Sequence, residues 1–208
     1  MKSDRLRTSC VLPLLGLLAL CSLSCSSITN IVVPQDVGTR GSEIKIKIPL
    51  RAGLYLSPFV QRAKRFYWFG IRNQGTIFLG EALSANANGI MRNVFQDVIV
   101  IDTMESNLDR CDVIVTPILS EIYMRGILSW TGPPNDFIFH VAIKWVIATP
   151  DGREIYANLI KSEEVKLSAS DEAKKQGFVQ TLRSQFELAQ EDIYTNGWWR
   201  TQWWKTSN

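Results

Sequence analysis

Phe137-Ile138-Phe139-His140-Val141-Ala142-Ile143-Lys144-Trp145-Val146-Ile147 places six large apolar side chains at every second position of an eleven-residue run. Successive side chains of an extended chain point to opposite faces, so this period of two predicts a strand with one side in the core. The run ends at Pro150-Asp151-Gly152. There proline presets φ and glycine accepts a positive φ, so the chain turns back on itself. Residues 153–167 are then expected to return as the partner strand of a hairpin, and 112–123, rich in Val and Ile, to form a further strand.

Outward from this hairpin the period changes. Phe178, Val179, Leu182, Phe186, Ala189 and Ile193 recur at helical spacing. They make one apolar stripe about four turns long, fit to lie on a sheet. Ser170 is the expected N-cap, Asp171 and Glu172 suit the positive end of the helix dipole, and Asn196-Gly197 ends the helix. Upstream, Leu83, Ala87, Ile90 and Val94 predict a helix over 80–95, followed by a short buried strand at 98–101. Before it, Ile44, Ile46, Ile48 and Leu50 alternate with Lys45, Lys47 and Pro49 and predict a strand that resumes at 53–57, with Pro49 at an edge or a bulge. Strand, helix and strand in this order imply a crossover with the two strands parallel. Residues 59–78 carry no clear period beyond a turn at Asn73-Gln74-Gly75. The expected fold is α+β: a single domain with a mixed, mostly antiparallel sheet of about five strands and two principal helices on one face.

The first 25 residues read as an address. Lys2, Arg5 and Arg7 precede an apolar run from Val11 to Leu20, and Ser22-Leu23-Ser24-Cys25 follows. A basic start, a short apolar stretch and small residues at a cut make an export signal, and the stretch is shorter than the roughly 20 residues that cross a bilayer. Removing three of the 23 basic and one of the 20 acidic residues with this leader brings the mature chain close to neutrality. No basic stripe remains for nucleic acid. Residues 1–24 are therefore expected to be a signal peptide, 25–43 a lipidated flexible tether rich in Ser, Thr, Gly and Asn, 44–196 the folded domain and 197–208 a Trp-rich tail.

Ser22-Leu23-Ser24-Cys25 resembles the lipobox of bacterial lipoproteins, with Ser22 where that family usually carries Leu. Cys21 competes as the lipid site, but bulky Leu20 stands where a small residue belongs. Lipidation is assigned to Cys25, with Cys111 as a buried, inert thiol, as the simpler reading; a Cys25–Cys111 disulfide is the alternative. Ser26 after the cysteine implies, under the enteric sorting rule that comes with the resemblance, the outer membrane. Together with Pro49-Leu50-Arg51-Ala52-Gly53-Leu54-Tyr55-Leu56-Ser57-Pro58, Leu79-Gly80-Glu81-Ala82-Leu83 and Asp112-Val113-Ile114-Val115-Thr116-Pro117, the layout resembles uncharacterised proteobacterial lipoproteins similar to YajG-like and TolB-N-terminal-like envelope domains. That resemblance implies a fold and brings no catalytic residues.

Chemistry-bearing patterns are few. His140 is the sole histidine and stands opposite Phe139 and Val141, without a Cys or His at metal spacing. There is no nucleophile elbow and no phosphate-binding glycine loop, so no cofactor is implied. The acidic pairs Glu163-Glu164, Asp171-Glu172 and Glu191-Asp192 read as solvated surface.

Two aromatic stretches stand out. Trp198, Trp199, Trp203 and Trp204 interleave with Arg200 and Lys205 near the C-terminus. Indoles are costly to leave in water, so they must pack on the domain, enter a membrane interface or meet a partner. Arg62-Ala63-Lys64-Arg65-Phe66-Tyr67-Trp68-Phe69 is the second. Its aromatic face is expected to be buried, with Arg62, Lys64 and Arg65 as the alternative contact to anionic lipid or glycan. The sequence thus supports a non-enzymatic envelope protein, facing the periplasm from the outer membrane, held by its N-terminal lipid and contacting an envelope protein through these aromatic and basic residues. The alternative is a periplasmic binding module for an apolar lipid or a glycan.

Overall fold

The computed structural model describes residues 28–38, 44–68, 74–103, 108–129, 132–168 and 170–200. In chain order they form β1 (Ile28–Val32), β2 (Ile48–Tyr55), α1 (Pro58–Gln61), β3 (Lys64–Trp68), β4 (Gln74–Phe78), α2 (Gly80–Val94), β5 (Phe95–Ile101), a 3-10 turn at Leu108–Arg110, β6 (Val113–Ser129), β7 (Gly132–Ala148), β8 (Glu154–Lys161), β9 (Val165–Ser168) and α3 (Asp171–Thr195). The fold is α+β. A six-stranded mixed sheet has the order β5-β2-β6-β7-β8, with β9 pairing β7 beyond β8, and a separate three-stranded sheet has the order β1-β4-β3.

The main sheet grows from β7. Phe137, Phe139, Val141, Ile143, Trp145 and Ile147 are all buried on the face that receives α3. Phe139 meets Phe178 edge-on at 5.0 Å between centroids, and Trp145 meets Phe186 at 6.2 Å. Helix and strand approach so closely that a Cβ on Gly177 would stand 2.7 Å from the Phe139 ring. The α3 stripe, Phe178, Leu182, Phe186, Ala189 and Ile193, is wholly buried, and Ser170 caps the helix by accepting from the Ala173 amide.

The turn at 150–152 forms as expected, with Gly152 at φ +87° and its amide donating to the Thr149 carbonyl. The returning chain is two strands rather than one. β8 pairs residues 142–148 of β7 and β9 pairs 136–139. At the break, Ser162 Oγ accepts from the Val141 amide and donates to the Glu163 carbonyl, so side-chain bonds fill the interrupted ladder.

β2 and β5 are parallel, as the crossover requires, and β2 also runs parallel to β6. Pro49 sits at a register shift between β2 and β5, outside the stretch that pairs with β6. A residue without an amide proton is tolerated in this central strand for that reason. The strand begins at Ile48, not Ile44, and Ile46 is exposed.

The largest correction concerns residues 25–43. From Ile28 the chain is not a tether: β1 runs parallel to β4 in register from Ile28 opposite Gln74 to Val32 opposite Phe78. Ile31, Val33 and Val37 are buried. The Gln35 carbonyl accepts from Asn86 on α2, and the Val37 carbonyl accepts from Arg183 on α3 at 2.8 Å. Polar composition hid a segment whose few apolar residues close the helix layer. Among the described residues no helix is long and apolar enough to cross a membrane.

Candidate functional site

The small sheet is the part of the molecule that composition left unread, and it holds the basic aromatic stretch. Its root is pinned. The Ala63 carbonyl, between α1 and β3, accepts from the amides of Leu79 and Gly80 at 2.9 and 3.0 Å. It thereby satisfies amides at the start of α2, where Leu79 supplies no side-chain cap. The Val33 amide donates to the Phe78 carbonyl at the same end. The opposite end is the register row Ile28, Gln74, Trp68. Close strand approach is built in at Gly75, where a Cβ would lie 1.9 Å from the Thr29 carbonyl oxygen.

The two faces of this sheet have opposite fates. Ile31, Ile77 and Tyr67 point inward and are buried. Tyr67 meets the buried Lys174 of α3, whose ammonium lies 5.0 Å from the Tyr67 ring centroid and 5.5 Å from that of Phe137, and pairs with Asp171 at 2.8 Å. One cation thus stacks against aromatics of both sheets. Burial, with Asp171 nearby, pushes the Tyr67 hydroxyl above the ordinary tyrosine range.

Outward point Val32, Phe66, Trp68 and Phe78, which are 60, 59, 63 and 41% exposed. Alternation therefore corrects the expectation of a buried aromatic face: of Phe66, Tyr67 and Trp68 only the tyrosine is inside, and Phe69 lies outside the described residues. Phe59 of α1 adds a further exposed ring. Arg62, Lys64 and Arg65 are all exposed at this margin, and no ion pair to them is found among the described residues. Two shallow depressions flank Arg62 and Ala63. One, of about 330 Å3, is lined by Val32, Val33, Phe78 and Glu81 among others. The other, of about 570 Å3, is lined by Pro58, Phe59, Lys64, Leu119 and Ile122. The patch is apolar, aromatic and rimmed by cations.

The tryptophan tail is arranged differently. Trp198 is buried against Phe95 and Tyr156, with centroids 6.2 and 6.4 Å away, and donates from Nε1 to the Ile193 carbonyl. Trp199 is half-buried and donates to the Tyr194 carbonyl, while Arg200 lies 5.4 Å from its ring. Gly197, at φ +74°, turns the chain back so that both indoles reach the last carbonyls of α3, which have no intrahelical partner. Trp198 is thus a core residue and is withdrawn from the contact surface. Trp199 and Arg200 remain partly or fully exposed. Trp203, Trp204 and the lipidation candidate Cys25 lie outside the described residues.

His140 does stand opposite Phe139 and Val141, yet it is buried. It stacks on Tyr123 at 4.4 Å and bonds through Nε2 to Glu121 Oε2 at 3.2 Å; Glu164 stands 3.9 Å from Nδ1. The two carboxylates address opposite ring nitrogens, so the three cannot close on one metal ion, and no candidate metal cluster occurs among the described residues. The acidic pairs are less idle than composition implied. Asp171 holds Lys174, and Asp192 accepts from both Tyr156 and Asn158. Burial, reinforced by Asp192, raises the Tyr156 hydroxyl above the usual tyrosine range. Cys111 is buried and unpaired against Gly53, and burial pushes its thiol up.

No family model matches the sequence, and no curated protein matches it. Among solved structures the chain is similar to protein XCC0632 from Xanthomonas campestris, of the family described as DUF330, at 9% identity and a TM-score of 0.52, over 85% of this chain and 99% of that one. It also aligns with a minor lipoprotein from Acinetobacter baumannii (9% identity, TM-score 0.36, covering 73% and 92% of the two chains). An uncharacterised lipoprotein B from Nitrosomonas europaea aligns at 13% identity and a TM-score of 0.36, covering 74% and 88%. The Acinetobacter and Nitrosomonas alignments are too weak to carry an argument. At its level of identity the Xanthomonas likeness is one of fold alone: this chain shares the α+β fold of the Xanthomonas protein.

Proposed function

We propose that this chain is a lipid-anchored protein of the bacterial cell envelope, held by Cys25 in the outer membrane with its domain in the periplasm, and that it is a non-enzymatic accessory or scaffold component of an envelope assembly. The observation that carries the reading is the order Lys2, Arg5, Arg7, the apolar run 11–20 and Ser22-Leu23-Ser24-Cys25. The resemblance to YajG-like and TolB-N-terminal-like layouts supports the same setting. Such an anchor confines the domain near the membrane and raises its effective concentration toward partners there. Partner contact falls to Trp199, Arg200, Trp203 and Trp204 at the C-terminus and to Arg62, Lys64 and Arg65 at the small sheet.

Replacing Cys25 by Ala is expected to move the protein from the membrane to the soluble fraction and abolish fatty-acid labelling. Continued labelling would transfer the anchor to Cys21 or sink the assignment. In-cell crosslinking followed by mass spectrometry tests the accessory role, which requires a discrete envelope partner.

A second reading, a module that takes up an apolar ligand such as a lipid, is favoured by the depression between Phe59 and Ile122, whose volume of about 570 Å3 is of ligand size. Native mass spectrometry of delipidated protein would retain a co-purified small molecule if this reading holds.

A further inference from the structure

The small sheet combines an open aromatic face with a chain end that leads straight to the anchor. We infer that the outer face of β1-β4-β3, carrying Trp68, Phe66, Phe78 and Val32, lies on the lipid headgroups of the membrane in which Cys25 is anchored. This rests on the lipid-anchor reading above and goes further, assigning which surface of the domain meets the bilayer.

The first reason is reach. Only residues 26 and 27 separate Cys25 from the first residue of β1. Three Cα steps span at most about 11 Å even when fully extended, against a headgroup layer of roughly 5–8 Å per leaflet. A domain on so short a leash stays within a few Å of the headgroup layer, and the Ile28 end of β1 is the described point tied nearest to it. The second reason is register. Ile28, Gln74 and Trp68 form one row across the sheet. Trp68 is therefore about 10 Å from Ile28, two strand spacings away, at the anchored end of the sheet.

The third reason is the chemistry of the free face. The inner face of this sheet is occupied by the core, so the face turned outward is the one that can meet lipid, and beside Asn30, Gln74 and Thr76, which share it by alternation, it carries four large exposed apolar side chains. Trp and Phe suit the boundary between headgroup and acyl chain. Lys64 alternates onto the same face of β3 as Phe66 and Trp68, so a sheet lying flat sets Lys64, with Arg62 just before β3, over lipid phosphates while the aromatics reach below. The occupant is thus a membrane surface containing anionic lipid.

The test uses the mature chain purified with its lipid, in vesicles of phosphatidylethanolamine and phosphatidylglycerol. A single Cys carrying an environment-sensitive fluorophore replaces Trp68, or as a control Leu159, which is exposed on β8; buried Cys111 takes no label. The expected result is a blue shift and severalfold quenching by nitroxide-bearing lipid at position 68 and neither at 159. Quenching at 68 is expected to fall when phosphatidylglycerol is left out. A label at 68 that stays in water while the protein floats with the vesicles overturns the inference and leaves the anchor standing. A blue shift that follows protein density and ignores the lipid quencher assigns the face to a second copy and also overturns it. A chain with Cys25 intact that carries no acyl group and does not float refutes the anchor reading, and the inference with it.

Discussion

Trp198 and Trp68 are the same residue type, each in a short aromatic stretch beside basic side chains, and the fold treats them in opposite ways. Trp198 follows a helix whose last carbonyls lack partners, and Gly197 turns the chain so that the indole donates to the Ile193 carbonyl while its ring fills the space between Phe95 and Tyr156. Trp68 sits in a three-residue run on a strand, where alternation forces Tyr67 inward and its two neighbours out. An aromatic cluster is drawn into the core where unsatisfied backbone acceptors are within reach. On a strand that covers the core with one side, half of it stays outside whatever its hydrophobicity.

The largest effect is expected at the C-terminus. Trp198→Ala, or truncation after Gly197, should cost about 3–5 kcal/mol of stability, the usual range for a fully packed aromatic. Thermal unfolding measures it, and a loss below 1 kcal/mol would return the whole tail to the surface. At the small sheet, Gly75→Ala forces a methyl against the Thr29 carbonyl. It should cost at least about 1–3 kcal/mol and release hydrogen-exchange protection in Ile28–Val32 ahead of β7. Protection that persists would mean β1 does not depend on that approach.

Next is an alkaline limb beside Trp198. Buried Tyr156 donates to Asp192 and keeps its proton to higher pH than a tyrosine of the unfolded chain. The stability this confers is complete below the ordinary tyrosine range, about pH 10, and drains away as pH rises above it, because the unfolded chain then releases a proton that the folded one retains. Tyr67 acts in the same direction. Tyr156→Phe should cost roughly 1 kcal/mol at neutral pH and flatten the decline above pH 10 in denaturant titrations. An unchanged slope would assign that decline to other groups. The smallest effect is expected at the exposed face: Phe66→Ser and Trp68→Ser should each shift stability by less than about 0.5 kcal/mol. A loss comparable to that of Trp198→Ala would erase the contrast.

Where a segment buries one full face, its period was legible. β7, α3 and α2 have apolar spacings of 2 and 3.6 over ten or more residues, and nearly all the predicted positions are buried. The parallel pairing of β2 and β5 and the bulge at Pro49 followed from element order and from proline's missing amide proton. The small sheet was not legible. Its strands are five residues each, too short for a period to rise above composition, and β1 owes its strand state to β4, forty-odd residues downstream. The candidate membrane face shared that fate: the aromatic stretch was visible, but its exposure depends on which side of β3 the core lies.

The amino-acid sequence by itself determined the long hairpin and the two principal helices, because each is encoded by local order and periodicity, and it alone carries the proposed export signal and candidate lipid site. Only the tertiary structure decided that the supposed tether is a strand, that Trp198 is core and Trp68 is surface, and that the three polar-looking residues Lys174, Asn86 and Arg183 fasten the small sheet and the chain before β2 to the helices. Those outcomes turn on partners distant in the chain, and a side chain's burial is set by what packs against it.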